Sequence, residues 1–98
     1  MHSEKMKKRY LHVGFSFKTI SLVKELEPIF NLMGEDWIRY TDNCWIVWTK
    51  YDPQEWLKKL QPKLGSSNHI LILELASGQS LGGFVPQWIW DWLLKNRV

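Results

Sequence analysis

Trp37-Ile38-Arg39-Tyr40-Thr41-Asp42-Asn43-Cys44-Trp45-Ile46-Val47-Trp48-Thr49 is the stretch on which the fold turns. Residues 37–41 and 44–49 are dense in aromatic and β-branched side chains, which suit a pleated, half-buried surface. Asp42-Asn43 between them tolerates tight-turn backbone geometry, so the stretch predicts a β-hairpin. Beyond it comes Asp52-Pro53-Gln54-Glu55: a capping acid, proline at the first helical position and an acid three residues after the cap. A helix therefore starts there, with Trp56, Leu57 and Leu60 as its buried stripe, and Pro62 and Gly65-Ser66-Ser67-Asn68 end it. Ile70 to Leu75 is apolar except for Glu74 and short enough for a strand.

On the N-terminal side, Leu11, Val13, Phe15 and Phe17 alternate with Tyr10, His12, Gly14 and Ser16, the period of a strand. Leu22, Val23, Leu26, Ile29, Phe30 and Met33 then recur at helical spacing up to Gly34, with Thr19 or Ser21 as candidate caps. Pro28 removes a backbone donor and crowds the preceding turn, which predicts a helix kinked or divided there. At the far end, Gly78 to Gly83 read as a loop. Pro86 then opens a helix whose Trp88, Ile89, Trp92 and Leu93 share a face.

The order strand, helix, strand, strand, helix, strand is the split βαβ pattern. It predicts an α+β, ferredoxin-like β-α-β-β-α-β sandwich with an extra C-terminal helix. Both crossover helices fall on one face of an antiparallel sheet; the other face is left to be solvated, covered by the terminal helix or used. At 98 residues the chain suits one domain, expected over residues 10–98 behind a flexible basic arm at 1–9. With 45% hydrophobic and 23% charged residues it has the balance of a folded globular protein. No apolar run has membrane-spanning length and Met1 to Arg9 is polar, so a cytoplasmic protein without membrane contact is expected.

Cys44 is the single cysteine, which excludes an internal disulfide and suggests a small buried side chain. His2, His12 and His69 lack metal-ligand spacing, so neither a metal nor a cofactor is expected. Gly78-Gln79-Ser80-Leu81-Gly82-Gly83 lacks the ending of a phosphate loop, and Ser66, Ser77 and Ser80 have no identifiable histidine-acid partners. The net charge of +3 is mild, and much of the excess sits in Lys5, Lys7, Lys8 and Arg9, which could reach phosphates or serve as a solvated leader. Seven tryptophans are the compositional oddity. Alternation points at least one of Trp45 and Trp48 away from the helices, toward a subunit interface or unpaired bases; the RNP1 pattern of RRM domains is absent from residues 44–50.

From Tyr10 to Asn96 the chain resembles the SinR-like family, small proteins similar to the CRISPR-associated adaptation nuclease and to VapD-type ribonucleases. The likeness rests on His12-Val13-Gly14-Phe15-Ser16-Phe17, Asp36-Trp37-Ile38-Arg39-Tyr40 and Cys44-Trp45-Ile46-Val47. It extends to Leu60-Gln61-Pro62-Lys63-Leu64, Ile70-Leu71-Ile72-Leu73 and Trp90-Asp91-Trp92-Leu93-Leu94-Lys95. In the nuclease relatives the first strand ends in tyrosine-aspartate, and that acid from two subunits holds a divalent metal; the matching pair here is Phe15-Ser16. A serine hydroxyl brings no charge to help strip water from a hard cation. The resemblance therefore implies a non-catalytic homodimeric binding or adaptor protein in a microbial defence, toxin-antitoxin or mobile-element setting, with Phe15, Ser16, Trp45 and Trp48 at the dimer interface. Two alternatives stand beside it. One is a nuclease with Asp36, Asp42 or Glu74 as non-standard ligands; the other is a single-stranded nucleic-acid binder using Lys5, Lys7, Lys8, Arg9, Trp45 and Trp48.

Overall fold

The structure is a computed structural model that describes residues 7–16, 21–75 and 82–97, with backbone alone at Ser21. Along the chain run β1 (Arg9–Phe15), α1 (Ser21–Met33), β2 (Asp36–Thr41), β3 (Cys44–Thr49) and α2 (Pro53–Leu60). A 3-10 turn (Gln61–Lys63), β4 (Ile70–Leu75) and α3 (Gln87–Leu93) complete it. The strands form one antiparallel sheet in the order β2-β3-β1-β4. The fold is thus α+β: among the described residues, a four-stranded antiparallel sheet with three helices.

Register assigns the two faces. Val13 stands opposite Trp45 of β3 and Ile72 of β4, which puts Leu11, Val13, Phe15, Trp45, Val47, Ile70 and Ile72 on one side. There α1 supplies Val23, Leu26, Phe30 and Met33, and α2 supplies Trp56 and Leu60, to form the main core. Phe30 stacks on Trp45 with ring centroids 4.8 Å apart and meets Trp56 at 5.0 Å. The second face carries Tyr10, His12, Gly14, Ile46, Trp48, Leu71 and Leu73.

The local signals act as their chemistry requires. Asp52 accepts from the Glu55 amide at 2.8 Å while Glu55 accepts from the Asp52 amide at 3.0 Å, a closed capping box with Pro53 in the first turn. Helix α1 is not divided at Pro28. Pro28 and Lys24 are both exposed, so the carbonyl that loses its partner lies on the wet side, and the apolar stripe holds the helix together across the missing bond. Gly34 is needed for close approach: a Cβ there would lie 2.7 Å from both the Phe30 carbonyl oxygen and Val47 Cγ2. Strand β1 begins at Arg9, inside the segment expected as an arm, and ends at Phe15. Phe17, Thr19 and the loop positions 78–81 lie outside the described residues.

Candidate functional site

The second sheet face is divided by α3. Ile89 packs with Ile38 and Ile46, and Tyr10, Tyr40, Leu75, Val85, Trp92 and Leu93 surround them. A helix of seven residues has little stability of its own and needs anchoring. Arg97 provides it: one amino group pairs with Asp36 at 2.7 Å, and the other donates to the Tyr10 hydroxyl at 2.8 Å and the Trp92 carbonyl at 2.7 Å. The guanidinium also lies 4.2 Å from the Trp92 ring centroid, and its side chain is only 7% exposed. Burial alone would raise the Asp36 carboxyl, but the hydrogen bond and charge of Arg97 outweigh it and hold the group below its ordinary range. The Trp92 indole N–H adds its dipole from nearby without reaching hydrogen-bond geometry.

Toward the hairpin-turn end, the face is open. His12, Gly14, Tyr40 and Cys44 are half-buried there, beside Leu71 at 62% and Leu73 at 49% exposure. His12 Nε2 hydrogen-bonds the Tyr40 hydroxyl at 2.5 Å. The missing side chain of Gly14 leaves room between ring and thiol, since a Cβ there would meet His12 Cε1 at 3.5 Å and Cys44 Sγ at 3.8 Å. Burial lowers His12, favouring neutral imidazole. Burial first, then the charge and hydrogen bond of Cys44, push the Tyr40 phenol up to about 12. A neutral imidazole and a neutral phenol thus stand beside the Cys44 side chain and two leucines, a surface suited to recognition. The sequence put Cys44 in the interior; it is half-exposed because the hairpin turn directs residue 44 onto the open part of the second face.

The residues expected at a site are scattered. Phe15 and Trp45 belong to the main core, with Trp45 fully buried against Phe30 and 5.3 Å from Phe15. Neither can stack on a base or reach a second subunit without leaving that core, because their parity in β1 and β3 points them at the helices. Trp48 has the opposite parity and lies against Tyr10, ring centroids 4.6 Å apart. Ser16 follows β1: its amide donates to the His69 carbonyl at 3.1 Å and its hydroxyl accepts from the His69 amide at 2.7 Å. Among the basic residues Lys7 is exposed, Lys8 pairs with Glu35 at 2.9 Å and Arg9 with Glu74 at 3.3 Å, while Lys5 lies outside the described residues.

The carboxylates weighed as alternative ligands are not brought together. Asp36 is on edge strand β2 and Glu74 on the opposite edge strand β4, each beside its own arginine, and Asp42 is exposed in the hairpin turn. Among the described residues, no three His, Cys, Asp or Glu side chains gather where they could hold a metal ion. The His12–Tyr40–Cys44 cluster escaped sequence reasoning because three strands supply it, one residue each, in a register that the sequence does not fix. The Arg97 anchor joins positions 61 residues apart and leaves no local pattern. Compared with known proteins, the chain matches no family model and no curated protein.

Proposed function

We propose that this chain is a non-catalytic, homodimeric binding protein on a ferredoxin-like frame of the SinR-like kind. The strand order β2-β3-β1-β4 with every neighbour antiparallel supports the frame. One contrast carries the function: Asp36 and Glu74 are each held by an arginine of the same chain, whereas Leu71 and Leu73 stand uncovered on the sheet. A carboxylate already neutralised by its own cation is a poor ligand for a divalent ion, and adjoining exposed leucines favour a partner. Ser16 fits the same reading, since its hydroxyl closes the end of the β1–β4 ladder onto His69. The setting in microbial defence, toxin-antitoxin or mobile-element systems rests on the SinR-like resemblance. Lys8 and Arg9, committed to Glu35 and Glu74, give single-stranded nucleic acid less to bind than their sequence positions promise.

The test is incubation of the purified protein with single- and double-stranded RNA and DNA, with and without magnesium or manganese. Intact substrates throughout are expected. Metal-dependent cleavage that disappears in Glu74→Gln or Asp42→Asn would overturn the non-catalytic reading.

A further inference from the structure

We propose that two copies of the chain join edge to edge through β4, antiparallel about a two-fold axis at Ile72, turning two four-stranded sheets into one of eight strands. This rests on the homodimer reading above and specifies its seam.

The two sheet edges differ in their fitness to pair. Strand β2 is irregular, with a bulge between Arg39 and Thr41, and it carries Asp36 and Arg39; bulges and charges are the devices that blunt an edge. Strand β4 pairs with β1 in unbroken register over Ile70-Leu71-Ile72-Leu73-Glu74-Leu75 and has neither proline nor lysine. Its one charge, Glu74, is occupied by Arg9. No described strand lies beyond it.

The backbone direction follows from the ends of the ladder. Ser16 donates to the His69 carbonyl, whereas the Phe15 amide turns the other way, to the Asn43 carbonyl at 2.9 Å. Alternation then places residues 69, 71, 73 and 75 in hydrogen-bonded pairs with β1, leaving the N–H and C=O groups of Ile70, Ile72 and Glu74 aimed outward. An axis at Ile72 matches these groups to themselves: Ile72 meets the same residue of the second copy, and Ile70 meets Glu74. Each pair exchanges both backbone bonds. The same axis sets Leu71 opposite Leu73 in a non-hydrogen-bonded pair, where side chains approach most closely, so the exposed leucines of both copies cover one another. The two Glu74 carboxylates fall about 14 Å apart along the seam, beyond the screening length at physiological salt. Such self-matching is what an isologous interface requires, and it selects a second copy over an unrelated strand.

The experiment is sedimentation of the full chain at micromolar concentration beside Ile72→Pro and Leu73→Lys, with hydrogen exchange of the wild-type amides. Residue 73 is exposed, so Leu73→Lys is expected to match wild type in far-UV circular dichroism; proline is tolerated where an edge amide faces solvent, so Ile72→Pro is expected to keep the fold, at a lower melting temperature because Ile72 also packs on the main core. Expected are a wild-type dimer, a dissociation constant at least about tenfold weaker in each variant, and slow exchange at Ile70, Ile72 and Glu74 that depends on protein concentration. A wild-type dimer with fast exchange at those amides, and variants that dimerise equally well, would place the seam elsewhere while the homodimer reading stands. A monomeric wild type would sink both, including one whose three amides slow only on adding an extended peptide.

Discussion

Replacing Thr49 by valine should destabilise the protein far more than its size suggests. Thr49 is fully buried at the end of β3, and its hydroxyl uses its entire bonding capacity. It donates to the Met33 carbonyl at 3.0 Å and accepts from the Tyr51 amide at 3.1 Å and the Trp56 indole N–H at 3.2 Å. Those partners end α1, begin the link into α2 and anchor the largest side chain of α2. Valine keeps shape and β-branching but orphans all three groups. A buried unsatisfied group costs about 1–3 kcal/mol, and Tyr51, partly exposed, recovers some of that from water, so the loss should be about 2–4 kcal/mol. For a chain of this length that lowers Tm by about 10–25 °C. The assay is urea unfolding followed by tryptophan fluorescence, with Thr49→Ser, which keeps the hydroxyl, as control. In a double-mutant cycle Trp56→Phe should cost about 1 kcal/mol less in the Thr49→Val background than in wild type. A loss below about 1 kcal/mol with an unchanged m value would refute the hydroxyl's role as the joint of these elements.

The Asp36–Arg97 pair makes part of the stability pH-dependent. Because the folded carboxyl lies below its ordinary value, its contribution is complete above the ordinary carboxylate range and is lost as pH falls through the lowered folded value. Asp36→Asn should cost about 1–2 kcal/mol at pH 7, because water screens the partly exposed carboxylate, and the gap from wild type should close toward pH 2 in urea titrations. A gap constant with pH would contradict this assignment. Gly34→Ala should cost about 1–3 kcal/mol through overlap with the Phe30 carbonyl and Val47. Gly65→Ala, at φ 72° with open space around it, should cost only about 1 kcal/mol, and thermal melts that reverse this order would show the helix end to be pliant.

The elements were legible where the governing chemistry is local. The capping box at Asp52 and Glu55 lies within one turn, and the hairpin sequence 37–49 holds its own turn, so both emerge with their expected roles. At Pro28 the expectation of a kinked or divided helix is settled only as to division: the helix runs through. Local sterics allow a kink or a break, and whether the helix divides depends on which face of α1 meets water, which Leu26, Ile29 and Phe30 decide by packing on the sheet. Helix propensity is a weak term beside the burial of an amphipathic face.

The second sheet face was less legible because its division hangs on contacts remote in sequence. Alternation alone places Trp45 and Trp48 on opposite sides, but a one-residue slip would exchange them, and nothing in β3 itself fixes which enters the core. The choice is made by Phe30, from α1, which stacks on Trp45, and by Tyr10, from β1, which meets Trp48. Coverage is decided farther away still. Arg97 reaches back to Asp36 and Tyr10 and so holds α3 over Ile38 and Ile46, at the end of the sheet away from Leu71. If α3 lay two strands farther along, over β1 and β4, it would cover the leucines of β4 and expose the isoleucines of β2 and β3 instead. The extent of the open patch is therefore set by a single buried guanidinium as much as by the residues that form it, because loosening that guanidinium would uncover Ile38 and Ile46 beside the leucines that already face water.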